Sequence, residues 1–169
     1  MMKNKILIPV VLIIILFFGF LAFLVMNPPL YIRGHGTTVE PILDKEGNLY
    51  VVAGVNPENH GFANIKLKEV IVNDSYKPVK VELGLSRSNT MVMIAEAVGE
   101  TREGFSFHNI EDYPIKTPPK QEYEEGVFDT IREYGIIVYH DDEIKNVLIK
   151  YSYLGIPFKQ LVVINTGED

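Results

Sequence analysis

Residues 6–26 form one uncharged run in which 19 of 21 positions are apolar, with Pro9 and Gly19 the exceptions. No strand or buried helix of a globular domain needs so long a stretch of Ile, Leu, Val and Phe. A helix of this length, rising about 1.5 Å per residue, spans about 30 Å, the thickness of a bilayer's hydrocarbon core. Pro9 is expected in the first helical turn, where its missing N–H costs little. Gly19 is tolerated because every backbone group bonds within the helix.

The flanks choose between a cleaved signal peptide and an uncleaved anchor. The exit reads Phe23-Leu24-Val25-Met26-Asn27-Pro28-Pro29 and offers no small-x-small cleavage site. An uncleaved signal anchor is therefore expected. Lys3 and Lys5 precede the run, and the next positive side chain is Arg33. Positive charge stays on the cytoplasmic side, so residues 1–5 are expected inside and the rest outside. Beyond the run, 14 positive and 22 negative side chains leave a net charge of −8. That acidity should keep the exported part away from an anionic lipid surface.

Asn27-Pro28-Pro29 stops a helix and starts a stiff connector. Residues 27–38 read as a linker or first loop, and residues 39–169 as a single extracytoplasmic domain. Strand patterns dominate it. Residues 77–86 alternate, with Val79, Val81, Leu83 and Leu85 on one face and Lys80, Glu82 and Ser86 toward water. Residues 146–153 repeat the pattern through Val147, Ile149, Tyr151 and Tyr153. Residues 65–68 alternate and residues 69–72 resume out of phase, which predicts a β-bulge near Glu69. Residues 49–55, 90–98, 104–110, 136–140 and 161–165 complete the expected strands. Asp44-Lys45-Glu46-Gly47-Asn48, residues 56–61 and Asn73-Asp74-Ser75 read as turns or loops. The expectation is an all-β, immunoglobulin-like sandwich of about 7–9 strands. One short helix is expected over residues 124–135, where Val127, Ile131 and Tyr134 fall at helical spacing and Gly135 closes the end.

Composition removes several kinds of chemistry. The chain has no Cys, so disulfides, thiolate zinc and a cysteine nucleophile are excluded. A net charge of −6 argues against binding nucleic acid by phosphate neutralisation. His35, His60, His108 and His140 each stand alone, and neither Gly-x-Ser-x-Gly nor His-Glu-x-x-His occurs. Gly34-His35-Gly36 is a fragment of a glycine loop with no helix pattern after it.

The hard ligands Asp141, Asp142 and Glu143, beside His140, lack calcium-loop spacing and read as a solvated turn. Met91 and Met93 read as core rather than as soft copper ligands. Glu122, Glu124 and Glu125, with Tyr123 between, read as the acidic start of the helix. No catalytic, cofactor-binding or metal-binding residue is expected. Tyr31, Tyr113 and Tyr123 lie near Pro or charge and are the expected exposed aromatics for a protein or glycan partner. The sequon at Asn73 carries meaning only where exported chains are glycosylated.

A Lys-flanked anchor followed by a Cys-free β domain resembles the plan of small single-pass exported proteins of Gram-positive bacteria. The functional expectation is a non-catalytic binding or structural module at the cell envelope, held in lipid by residues 6–26. One alternative is an accessory subunit whose Gly19 and Ala22 pack against another membrane helix. The other is a glycan-acting enzyme using Glu122, Glu125, Asp141 and Asp142.

Overall fold

A computed structural model describes residues 3–43, 46–99, 102–118, 126 and 129–164. Helix α1, Lys3–Met26, is continuous over 24 residues. It begins early enough that Pro9 lies inside the helix rather than in its first turn. Ile8–Met26 is long and apolar enough to cross a membrane. Among the described side chains, those of Ile8–Met26, only Leu24 is buried and Leu21 is half-buried. The others of that span are exposed on every side, the pattern of a helix surrounded by apolar solvent.

The remainder is two antiparallel sheets. β1 (Leu30–Thr37), β2 (Ile42–Leu43), β3 (Leu49–Asn59), β5 (Lys80–Ser86), β6 (Phe105–His108) and β7 (Glu133–His140) form the larger. Its order is β1-β3-β7-β5-β6, with β2 added against β3. β4 (Ile65–Val72), β8 (Asn146–Tyr153) and β9 (Ile156–Val163) form the smaller, in the order β4-β8-β9. Inward side chains of both sheets make the main core. Val55, Leu83, Ile136 and Val138 of the large sheet meet Ile65, Leu67, Val147, Ile149, Tyr151 and Tyr153 of the small one. The bulge predicted near Glu69 is present as a register shift between Leu67 and Glu69. It sets Glu69 opposite Lys150, whose ammonium at 2.7 Å holds the Glu69 carboxyl below its ordinary range.

The outer face of the large sheet is a second core rather than a wet surface. Val52, Ile137 and Tyr139 are covered there by Val92, Ala97 and the short helix α2 (Ile94–Val98). Residues 90–98 were expected to be a strand. Instead Val92 plugs a hole left by two facing glycines, Gly84 and Gly135, and helix-forming Ala95 and Ala97 turn the chain over the sheet. Ser86, expected in water, is fully buried, with its hydroxyl bonded to Ser88.

Four more expectations are corrected. Residues 30–37 are strand β1, not a linker or loop, so only Asn27, Pro28 and Pro29 separate helix from sandwich. Residues 56–59 continue β3 and are not a loop. Val79 precedes β5 and is half exposed. The helix expected over residues 124–135 is not formed where it is described: 129–132 are irregular, and Glu133, Tyr134 and Gly135 open β7. Tyr134, Ile136 and Val138 follow the period of a strand, and Gly135 seats Val92 rather than ending a helix. Residues 119–125, 127 and 128 of that stretch lie outside the described residues.

β8 and β9 are joined by Leu154 and Gly155, with φ of 52° and 80°. Both central positions of this hairpin are left-handed, which suits Asn-Gly far better than Leu-Gly. Leu154→Asn is expected to raise unfolding stability by about 0.5–1 kcal/mol, the relief of left-handed strain. Urea titration of the detergent-solubilised chain reads it.

Candidate functional site: a charged cleft where the large sheet splits

β3 and β7 pair from Val51↔His140 to Val55↔Ile136, and there their ladder ends. Beyond it β3 stays with β1, and β7 with β5. Pro57 fits because this length of β3 has a strand on one side only. Buried Asn56 bridges the split, its Nδ2 donating to the Val92 carbonyl at 2.9 Å and the Tyr134 carbonyl at 3.4 Å. The side chain replaces the ladder bonds the backbone no longer makes.

The split opens a cleft of about 270 Å³, lined among others by Arg33, Glu58, Lys116, Arg132, Glu133 and Tyr134. Arg33 lies at the β1 register shift between Ile32 and Gly34, and its guanidinium donates to Glu133 Oε2 at 2.7 Å. Burial pushes the Glu133 carboxyl above its ordinary range; Arg33 opposes this, and Glu58 adds a like charge. The Tyr134 hydroxyl accepts from the Lys116 N–H at 3.2 Å, while burial raises its pKa. The cleft therefore sets three cations against two carboxylates and suits a small, polar or anionic group.

Arg33→Met tests this balance. It leaves the Glu133 carboxylate, 15 % exposed, without its cation. The expected loss is about 1–3 kcal/mol at neutral pH. The Glu133 pKa then rises further. A raised carboxyl contributes stability below its unfolded value, about 4.3, and loses that contribution as pH rises through the folded value. The deficit of the variant should therefore shrink in acid, read by urea titrations at pH about 7 and about 4.

The residues singled out from sequence do not meet here. Asp141, Asp142 and Glu143 lie at the opposite end of the sandwich, beside Thr37, Thr38 and Val39. Among the described residues no group of three His, Asp or Glu side chains could hold a metal ion. His35 is in β1, His60 stacks on Tyr31, His108 sits against Tyr113, and His140 neighbours Tyr76. Met91 packs near Gly34, whereas Met93 is half exposed. The sequon's Asn73 donates through Nδ2 to the Glu143 carbonyl at 2.7 Å and accepts from Lys145 N–H at 2.8 Å, tying two turns together. Glu122, Tyr123, Glu124 and Glu125 lie outside the described residues.

Arg33, Glu58 and Glu133 went unmarked because no local motif joins them. They sit in segments that read as linker, loop and helix, and they converge only because all three are strands. Comparison with family models, with curated proteins and with solved structures finds no match to this chain.

Proposed function

We propose that the chain is a single-pass anchored module of the cell envelope, whose immunoglobulin-like domain lies outside the membrane and binds or braces rather than catalyses. The observation that carries this reading is the join. A helix apolar on all sides passes into a β-sandwich through three residues, Asn27, Pro28 and Pro29. Lys3 and Lys5 at the start of the helix support a cytoplasmic N-terminus. Strand order supports the immunoglobulin-like reading. With β2 and β6 set aside, the first, second, fifth and fourth strands share one sheet, and the third, sixth and seventh share the other.

Membranes of cells expressing the chain, washed at alkaline pH, should retain it until detergent is added. Release into the wash would contradict the anchor.

One observation favours a second reading. Glu133 is half-buried, raised in pKa and faced by the charge of Glu58 in the same cleft, as an acid of a glycan-acting pair would be. Its bond to Arg33 argues for a structural carboxylate instead. Incubation of the full chain with envelope glycans should release no reducing ends. Release that Glu133→Gln abolishes would replace the first reading with the second.

A further inference from the structure

The apolar surface of α1 and the base of the sandwich are continuous. Leu24, in the last turn of the helix, is 3 % exposed and belongs to the main core, as does Leu30. The Pro29 carbonyl accepts from the His60 N–H at 2.9 Å, which fixes the 60–64 loop at the helix exit. That loop is welded to the β8–β9 turn. The Tyr153 hydroxyl accepts from the N–H of Phe62 at 3.0 Å and of Ala63 at 3.3 Å, and its ring meets Phe62 edge-on. Gly61 is required there, because a Cβ would lie 2.5 Å from the Tyr153 hydroxyl oxygen.

Two large apolar side chains project from this base: Phe62 is 72 % exposed and Leu154 is 47 % exposed. Among the described residues neither is covered beyond the edge contact of Phe62 with Tyr153. The headgroup layer is about 5–7 Å deep on each face of the hydrocarbon core. A three-residue join cannot lift the base clear of a layer that deep when Leu24 already touches the domain. The headgroup–acyl boundary is also where apolar Phe and Leu side chains of membrane-surface segments settle.

We propose that Phe62 and Leu154 are a membrane-docking tip that inserts into the lipid interface beside the helix and holds the domain upright on the bilayer. The occupant is the lipid surface itself, engaged through apolar contact and therefore without need of anionic headgroups. The acidic turn of Asp141, Asp142 and Glu143 is carried at the far end of the sandwich, about 25 Å away along strands of this length. The inference rests on the anchored reading, so its test separates the two.

The chain has no Trp and no Cys, so single reporters are unambiguous. Phe62→Trp, Val39→Trp and Phe17→Trp, each in the full chain, are placed in phosphatidylcholine vesicles with bromine at shallow or deep acyl positions. Val39 is 84 % exposed at the distal end, and Phe17 lies within α1. Phe62→Trp should lose several-fold more emission than Val39→Trp, and more to shallow bromine than to deep. Phe17→Trp should be quenched most by deep bromine. Equal quenching at 62 and 39 with strong quenching at 17 would overturn docking and leave the anchor standing. No quenching at 17 would overturn both. Phe62→Cys carrying a bimane reads the same contact should the indole disturb the loop; its emission should shift to the blue in vesicles, and an unshifted emission would count against the tip.

Discussion

Asn59→Ala is expected to lower unfolding stability by about 3–4 kcal/mol, from losing several hydrogen bonds at one buried site. Asn59 is 1 % exposed at the end of β3. Its Nδ2 donates to the Ala63 carbonyl at 2.8 Å and the Ile115 carbonyl at 2.9 Å, while its Oδ1 accepts from the Gly61 N–H at 2.8 Å. One carboxamide thus binds the base loop and the segment that bridges Ile115 to Ile65. Alanine removes three hydrogen bonds and leaves a space where the amide was; the Gly61 N–H and the Ala63 carbonyl lose this partner outright, while the Ile115 carbonyl keeps the Ile65 N–H at 3.0 Å. Urea titration of the solubilised chain measures the loss, and hydrogen exchange should show it concentrated at residues 60–64 and 115–117. A change below about 1 kcal/mol would mean that water replaces the amide at little cost.

The second large effect is Gly135→Val. Gly135 faces Gly84 across β7 and β5, and Val92 fills the space between them. A Cβ at Gly135 would fall 2.6 Å from the Val92 Cβ and 3.3 Å from its carbonyl oxygen. Valine favours strands, so propensity alone predicts a gain. The contact overrules it: the plug must leave, and with it the cover over Val52, Ile137 and Tyr139. The expected loss is about 3 kcal/mol, at the upper end for overpacking. Val92→Gly in the same chain, which removes that Cβ, should recover part of it by making room. Equal losses in the single and double variants would show that Val92 is not the obstacle.

These two sites show what a local pattern can carry. β8 was legible because its inner face alternates against a half-wet outer face, and the β4 bulge was legible as a slip of phase. β1 and the end of β3 were not, because Arg-Gly-His-Gly and Asn-Pro-Glu-Asn have loop composition. They are strands because neighbours far along the chain hold them, and because a split sheet asks less of a proline. Over its described part, residues 126 and 129–135, the helix expected at residues 124–135 failed for a related reason: three apolar positions satisfy a helical period by chance where Tyr134, Ile136 and Val138 already satisfy a strand's. The cleft lies where these misread segments meet, so nothing local announced Arg33, Glu58 or Glu133. The covered outer face was hidden as well, since a plug in a glycine hole has no signature in sequence.

The central claim is that α1 crosses the bilayer and delivers the β domain to the outside. A single thiol decides it, because the chain contains no other. Val39→Cys, at an exposed point far from the helix, is treated in intact cells with a membrane-impermeant maleimide. The account predicts full labelling before lysis; labelling that appears only after the cells are broken would contradict it.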